Sequence, residues 1–294
     1  MVKWLLGGLL VSCMPVLVHA AELRIDLGHG PKVWTTAQLL ARKDAQNVVI
    51  PDDVAFHCTM HYRAVPLRPL LPGLRPDQHL QFVANDGFVA EIPASVILDK
   101  RGSEPWIAVE DPAQPWPPLP EKANGAGPFY LVWTDPQAAH ISTEQWPFEL
   151  SSIRALRGVD ARFPAIVPDS SVAAGSTVRH GFDVFKRTCF ACHTLNGEGD
   201  SKLGPDLNIP HNPTEYLRAD LLRAFVRNPQ SLRHWPQAQM PPFPASTVRR
   251  RPRCGAGLPA LHGQAQGDAL RFSWFMRQFV FCGPVAQLDR ASPS

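Results

Sequence analysis

Cys189-Phe190-Ala191-Cys192-His193 is the stretch that decides how the second half of this chain reads. Two thiols three positions apart fall on one helical turn, and each can add across a vinyl group of the same porphyrin. The adjacent His193 then lies beneath the iron as its proximal ligand. Two other chemistries share the C-x-x-C spacing. A structural zinc site wants a second ligand pair at short range, and none follows. A redox dithiol has no use for the adjoining histidine. The run is therefore expected to attach one covalent haem c, with Cys189 and Cys192 as anchors.

Upstream, Ser176 or Thr177 can cap a helix that starts at Val178 and runs into the motif, with Gly181, Phe182 and Phe185 near one face. Downstream, Asn196 to Asp200 reads as a turn and Leu203-Gly204-Pro205-Asp206-Leu207 as a stiff loop. Pro213-Thr214-Glu215 opens a short helix, and Asp220 to Arg227 forms another that stops at Asn228-Pro229. Gln239-Met240-Pro241-Pro242-Phe243 cannot continue a helix, so Met240 is presented from a loop. This series resembles the monohaem class I c-type cytochromes, an all-α family. The resemblance implies a carbonyl from the Gly204-Pro205 segment to the His193 ring, and Met240 as the sixth iron ligand. His211 and His234 are its rivals. Thioether ligation raises the potential, and two filled axial positions favour outer-sphere electron transfer over catalysis.

Length and composition frame this reading. The chain has 294 residues, 45% of them hydrophobic, enough for one or two cored domains. A net charge of +3 gives no reason to expect nucleic acid. Met1 to Ala20 reads as a secretory signal: Lys3, then an apolar run from Trp4, then Val18-His19-Ala20. The run is short for a membrane span. Leu10-Val11-Ser12-Cys13 also resembles a lipobox, so lipidation of Cys13 is the one expected route to a membrane. The expected location is the bacterial periplasm. Cys13, Cys58, Cys189, Cys192, Cys254 and Cys282 do not form a disulfide framework on this reading.

Residues 21–156 read as a mostly-β, α+β domain. Leu23 to Leu27, Val48 to Ile50, Trp106 to Glu110 and Phe129 to Trp133 are expected strands, and Thr35 to Arg42 a short capped helix. Leu80 to Ala84 and Phe88 to Ile92 flank Asn85-Asp86-Gly87, a hairpin signal. Asp111 to Pro120 is a proline-rich extended loop. Ala64-Val65-Pro66-Leu67-Arg68-Pro69-Leu70-Leu71, Ala84 to Phe88 and Ile92-Pro93 resemble the later half of the sulfite-oxidase-type molybdopterin-binding domain, where G-V-P-L-x-x-L-L starts a helix. That family holds molybdenum through an upstream cysteine. Cys58 is the candidate, but it lies only eight residues before Pro66, and no basic anion cradle accompanies it. The expectation is a degenerate member, its fold kept and its molybdopterin site lost.

Residues 157–175 are rich in Pro, Ala and Ser and read as a linker that lets the second domain reorient. The expected haem domain is 176–247. Beyond Thr247, Val248-Arg249-Arg250-Arg251-Pro252-Arg253-Cys254-Gly255 is no amphipathic helix, although the family closes its pocket with one. Shifting the frame by one base with GC-rich codons permits Ser-Asp-Ala-Asp-Leu-Asp-Ala-Val-Leu-Ala-Tyr-Leu across this stretch. Residues 248–294 are thus read as an aberrant, out-of-frame tail and the last helix as frameshifted. The functional expectation is an electron carrier between a dehydrogenase donor and a terminal oxidase acceptor. Two alternatives stay open: a molybdenum oxidoreductase passing electrons to haem, and a first domain that docks on a membrane redox complex.

Overall fold

A computed structural model describes residues 20–120, 125–235 and 237–243. The expected signal segment through His19, with Cys13, lies outside them, as does the tail with Cys254 and Cys282. Among the described residues no helix is long and apolar enough to cross a membrane.

The chain opens with β1 (Glu22–Asp26), β2 (Pro31–Thr35), α1 (Thr36–Leu40), β3 (Gln46–Ile50) and β4 (Met60–Pro66). It continues through β5 (His79–Ala84), β6 (Val89–Pro93), α2 (Ala94–Leu98), β7 (Glu104–Val109), β8 (Phe129–Thr134) and β9 (Leu150–Leu156). These strands form two sheets, one ordered β2-β1-β9-β5-β6 and the other β3-β4-β7-β8. Among the described residues only β1 and β9 pair in parallel. The N-terminal region is therefore strand-rich, and the sequence periods explain why. Leu23 and Ile25 are buried while Glu22 and Arg24 face water. Asp86 and Gly87 turn the β5–β6 hairpin: Asp86 Oδ1 accepts from the Phe88 amide at 2.9 Å, and Gly87 has φ +93°. Thr35 and Gln38 cap α1 reciprocally.

Between the sheets lie Leu23, Ile50, Tyr62, Phe82, Ile107, Phe129 and Trp133. Full burial of such side chains stabilises by about 1.5–3 kcal/mol each. Asp53 and Trp133 are paired inside. Asp53 accepts from the Phe56 amide at 2.9 Å and from Tyr62 Oη at 2.8 Å, while Trp133 Nε1 donates to the Gln145 carbonyl at 2.9 Å. Cys58 is buried in this core beside Phe56 and Met60 and is disulfide-bonded, which corrects the expectation that it joins no disulfide. The V-P-L segment starts no regular helix: Val65 and Pro66 end β4, and Arg68–Leu70 makes one 3-10 turn. Two prolines in four residues remove the amide donors a longer helix needs.

The C-terminal region is helical: α3 (Val159–Arg162), α4 (Thr177–Thr188), α5 (Pro213–Tyr216) and α6 (Ala219–Arg227). In α4, Val178, Gly181, Phe182 and Phe185 are buried, the spacing of a single helix face, and Ser176 accepts from the Arg179 amide as its cap.

The expected free linker is corrected here. Val159 and Ile166 are buried in one cluster with Phe182, Phe185, Phe190 and Leu195. Arg162 is fixed as well, its Nη2 2.5 Å from Glu91 Oε1 and its Nη1 2.8 Å from Asp200 Oδ2. Apolar residues spaced among the prolines gave this stretch something to bury, which composition alone concealed.

Candidate functional site

The last turn of α4 delivers the C-x-x-C-H motif. The Cys189 amide donates to the Phe185 carbonyl at 2.9 Å, and the Cys192 and His193 amides donate to the Cys189 carbonyl at 3.1 and 2.9 Å. Phe190 turns inward, edge-on to Phe163 at 5.4 Å and tilted against Phe185 at 5.6 Å. Cys189 and Cys192 stay half-buried, one turn apart. Burial pushes the Cys189 thiol well above its ordinary pKa, and the charges of Glu144 and Cys192 add to this. A redox dithiol depends on a depressed thiol pKa, so this environment speaks against that reading.

His193 Nδ1–H donates to the Pro205 carbonyl at 2.7 Å. A carbonyl only accepts, so the ring proton is on Nδ1 and the Nε2 lone pair is available for a metal. Burial lowers the His193 pKa, opposed by the Pro205 bond and the Asp206 charge, so the imidazole is neutral, the ligating form. Gly204 is required by close approach. A Cβ there would stand 2.5 Å from His193 Nδ1 and 2.9 Å from Nε2, and the Gly204 amide donates to the Cys192 carbonyl at 2.7 Å.

Asp206 clamps the two loops that flank this ring. It accepts from Thr194 Oγ1 at 2.9 Å and from the amides of Gly197, Asn208 and Ile209 at 2.8, 2.8 and 2.9 Å. Burial raises its pKa, but these donors outweigh that and hold it below the ordinary carboxylate value. Sequence reading passed over Asp206 as one letter of a loop. The available signal was an Asp between Pro and Leu, where Asx turns form.

Cys189, Cys192, His193, Gly204 and Pro205 thus form one hydrogen-bonded cluster. Met240 belongs to another element, the irregular stretch 237–243, where it is half-buried. That stretch is pinned to α6: the Phe243 amide donates to the Val226 carbonyl at 3.2 Å and Arg227 Nη1 to the Phe243 carbonyl at 2.8 Å. His211 is exposed and lies 3.3 Å from Glu215, and His234 is exposed. Among the described residues no group of three or more His, Cys, Asp and Glu is placed to hold a metal ion.

The first domain takes part in this cluster. β6 is the edge of its sheet, and the Val89 amide donates to the Ala191 carbonyl inside the motif at 3.1 Å. Ser201 Oγ donates to the Gly87 carbonyl at 3.1 Å, and Gln81 Nε2 to Asp200 Oδ2 at 2.6 Å. None of these contacts is legible from local spacing.

The donor set fits a covalently attached haem: two half-buried thiols on one turn, a neutral imidazole with one nitrogen fixed and the other available, and a glycine that lets the loop reach the ring. Residues 178–251 match the family model described as Cytochrome c. The match supports a c-type cytochrome domain at the C-terminal end, and with it a haem c cofactor, haem-based electron transfer and redox partners in general. No family model matches the strand-rich region, and no curated protein matches the chain.

Proposed function

We propose that this chain is an exported, periplasmic one-electron carrier holding one haem c through Cys189 and Cys192, with His193 and Met240 as axial ligands. When bound, the haem supplies a one-electron ferric–ferrous couple. The observation that carries the reading is the His193–Pro205 bond at 2.7 Å beside two half-buried thiols on one turn. His193 offers Nε2, Pro205 and Gly204 hold the ring's orientation, and Asp206 fixes the loops on both sides. Met240, in a loop held on α6, provides the thioether. Leu203, Ile209, Tyr216, Leu221, Leu232 and Trp235, which lie between the motif and Met240 in the sequence, are exposed apolar side chains.

Residues 21–156 form, on this proposal, a sulfite-oxidase-like domain that keeps its fold without molybdopterin, with Cys58 serving its core. Partners are a dehydrogenase donor and a terminal oxidase acceptor, with no nucleic acid. The family match ends at residue 251, close to Thr247, which agrees with an out-of-frame tail after it.

The test is haem and metal quantitation on the full chain isolated from the periplasm of an expressing bacterium. One covalent haem per chain and no molybdenum is the expected result. One molybdenum per chain would make the protein an oxidoreductase with Cys58 as a ligand. Replacing Met240 by Ala is expected to abolish the sulfur-to-iron charge-transfer band of the oxidised protein. A band that survives transfers the sixth position to another residue.

A further inference from the structure

We propose that Glu144 takes up a proton when the haem-attachment site is reduced, so that the chain moves a proton together with its electron. The inference rests on the electron-transfer reading above and adds a proton to it. Glu144 belongs to the 3-10 turn Thr143–Gln145 of the first domain, which packs against both α4 and β6. It is 8% exposed. Its Oε2 accepts from Thr143 Oγ1 at 2.7 Å. The preceding Ser142 donates through Oγ to the Arg187 carbonyl at 3.1 Å, tying the turn to the end of α4 two residues before Cys189. The Glu144 carboxyl is within electrostatic reach of the Cys189 sulfur, the atom that carries the porphyrin edge once the thioether has formed.

A buried carboxylate is ordinarily neutralised by a cation, and here the neighbouring cations are engaged elsewhere. On α4, Lys186 lies 2.9 Å from Asp160 and 3.4 Å from Asp183, Arg187 donates through Nε to the Asp183 carbonyl at 3.2 Å, and His180 is exposed. On β6, Glu91 is held by Arg162 and by Gln81 Nε2 at 2.8 Å. Burial is the chief influence on Glu144, eased by the Thr143 bond and its own backbone, and its pKa rises to about 7. The carboxyl therefore changes charge in the neutral range, inside an interface that water screens poorly.

The coupling balances simply. A one-electron donor protein reduces ferric iron to ferrous, which adds one negative charge at the site. That charge favours the protonated carboxyl, so the Glu144 carboxylate binds one proton from water. On oxidation by the acceptor, Glu144 releases it. Glu144 is a positioning residue for charge, since it acts through the Cys189 side of the site and not on the iron.

The test is a potentiometric titration of the full-length holoprotein between about pH 6 and 8, where a fully coupled step moves the midpoint by at most about 59 mV per unit. The midpoint of the natural chain is expected to fall as pH rises, and that of Glu144→Gln to stay flat. A flat natural chain overturns the proposal, as does a variant with the same slope. If Glu144→Gln does not fold, redox-difference infrared spectra of the natural chain decide. A protonated-carboxyl band that grows on reduction supports Glu144, and its absence overturns it. A chain without covalent haem overturns both readings, whereas a haem-bearing chain with a pH-independent potential overturns this one alone.

Discussion

Tyr62, Phe82, Phe129 and Trp133 of the first domain are at most 1% exposed, whereas Ile209, Tyr216 and Trp235 of the second are each more than half exposed. The two regions reach a defined shape by different means. The first closes two sheets over a continuous aromatic and aliphatic core. The second buries a small cluster around Phe182, Phe185 and Phe190, and holds its loops with side-chain clamps from Asp206, Asn212 and His193. It also leans on the first, through Val89, Gly87 and the Glu91–Arg162–Asp200 bridge. A domain built on clamps depends on what it holds. A domain built on burial stands alone.

The largest expected effect follows from that difference. Replacing both Cys189 and Cys192 by Ala should abolish covalent haem and strip amide-exchange protection from residues 176–243, while the two sheets keep theirs. Equal loss in both regions would mean that the two sheets depend on the haem as much as the helices do. Next comes Arg162→Ala, which leaves Glu91, with 2% of its side chain exposed, without its guanidinium partner. Removing one member of such a buried pair costs about 3–5 kcal/mol. Denaturant unfolding should show that loss, and it should fall on the second domain first. Gly204→Ala comes third. Its Cβ would overlap the His193 ring, so about 1–3 kcal/mol of overpacking strain is expected, with a changed haem absorption spectrum. An unaltered spectrum would mean the loop yields without moving the ring.

Much of this was legible in the sequence, wherever one local rule was enough. The β5–β6 hairpin followed from Asn85-Asp86-Gly87, α1 from its Thr35 cap, and the end of α6 from Pro229. β4 was missed although Met60, Tyr62 and Ala64 alternate with His61 and Arg63, because its end was read as the start of a helix. β9 was missed because its pairing with β1 joins opposite ends of the domain, and no window of sequence contains both. The site divides in the same way. Cys189, Cys192, His193, Gly204 and Pro205 are neighbours in sequence or in a short loop. Val89, which donates to the Ala191 carbonyl, and Glu144, whose charge bears on Cys189, come from far away in the chain, so only the fold brings them to the motif.

Asp206 gives the smallest effect and the finest test of how the clamped region works. Its pKa is depressed in the folded chain, so its contribution is present above the ordinary carboxylate pKa. That contribution is lost as pH falls through the folded value, because the protonated acid no longer accepts fully from Thr194 and three amides. Acidification should therefore loosen the loops at Gly197, Asn208 and Ile209 before it affects the first domain. Asp206→Asn keeps one acceptor oxygen but loses the charge, and should cost about 1 kcal/mol at neutral pH. It should also remove the acid-side change in the protection factors of those three amides. If the variant keeps the acid-side change, another carboxylate controls the loops. Glu198 would be the first to examine, since it accepts from the Ala165 amide at 2.8 Å and so joins the same turn to the segment after α3.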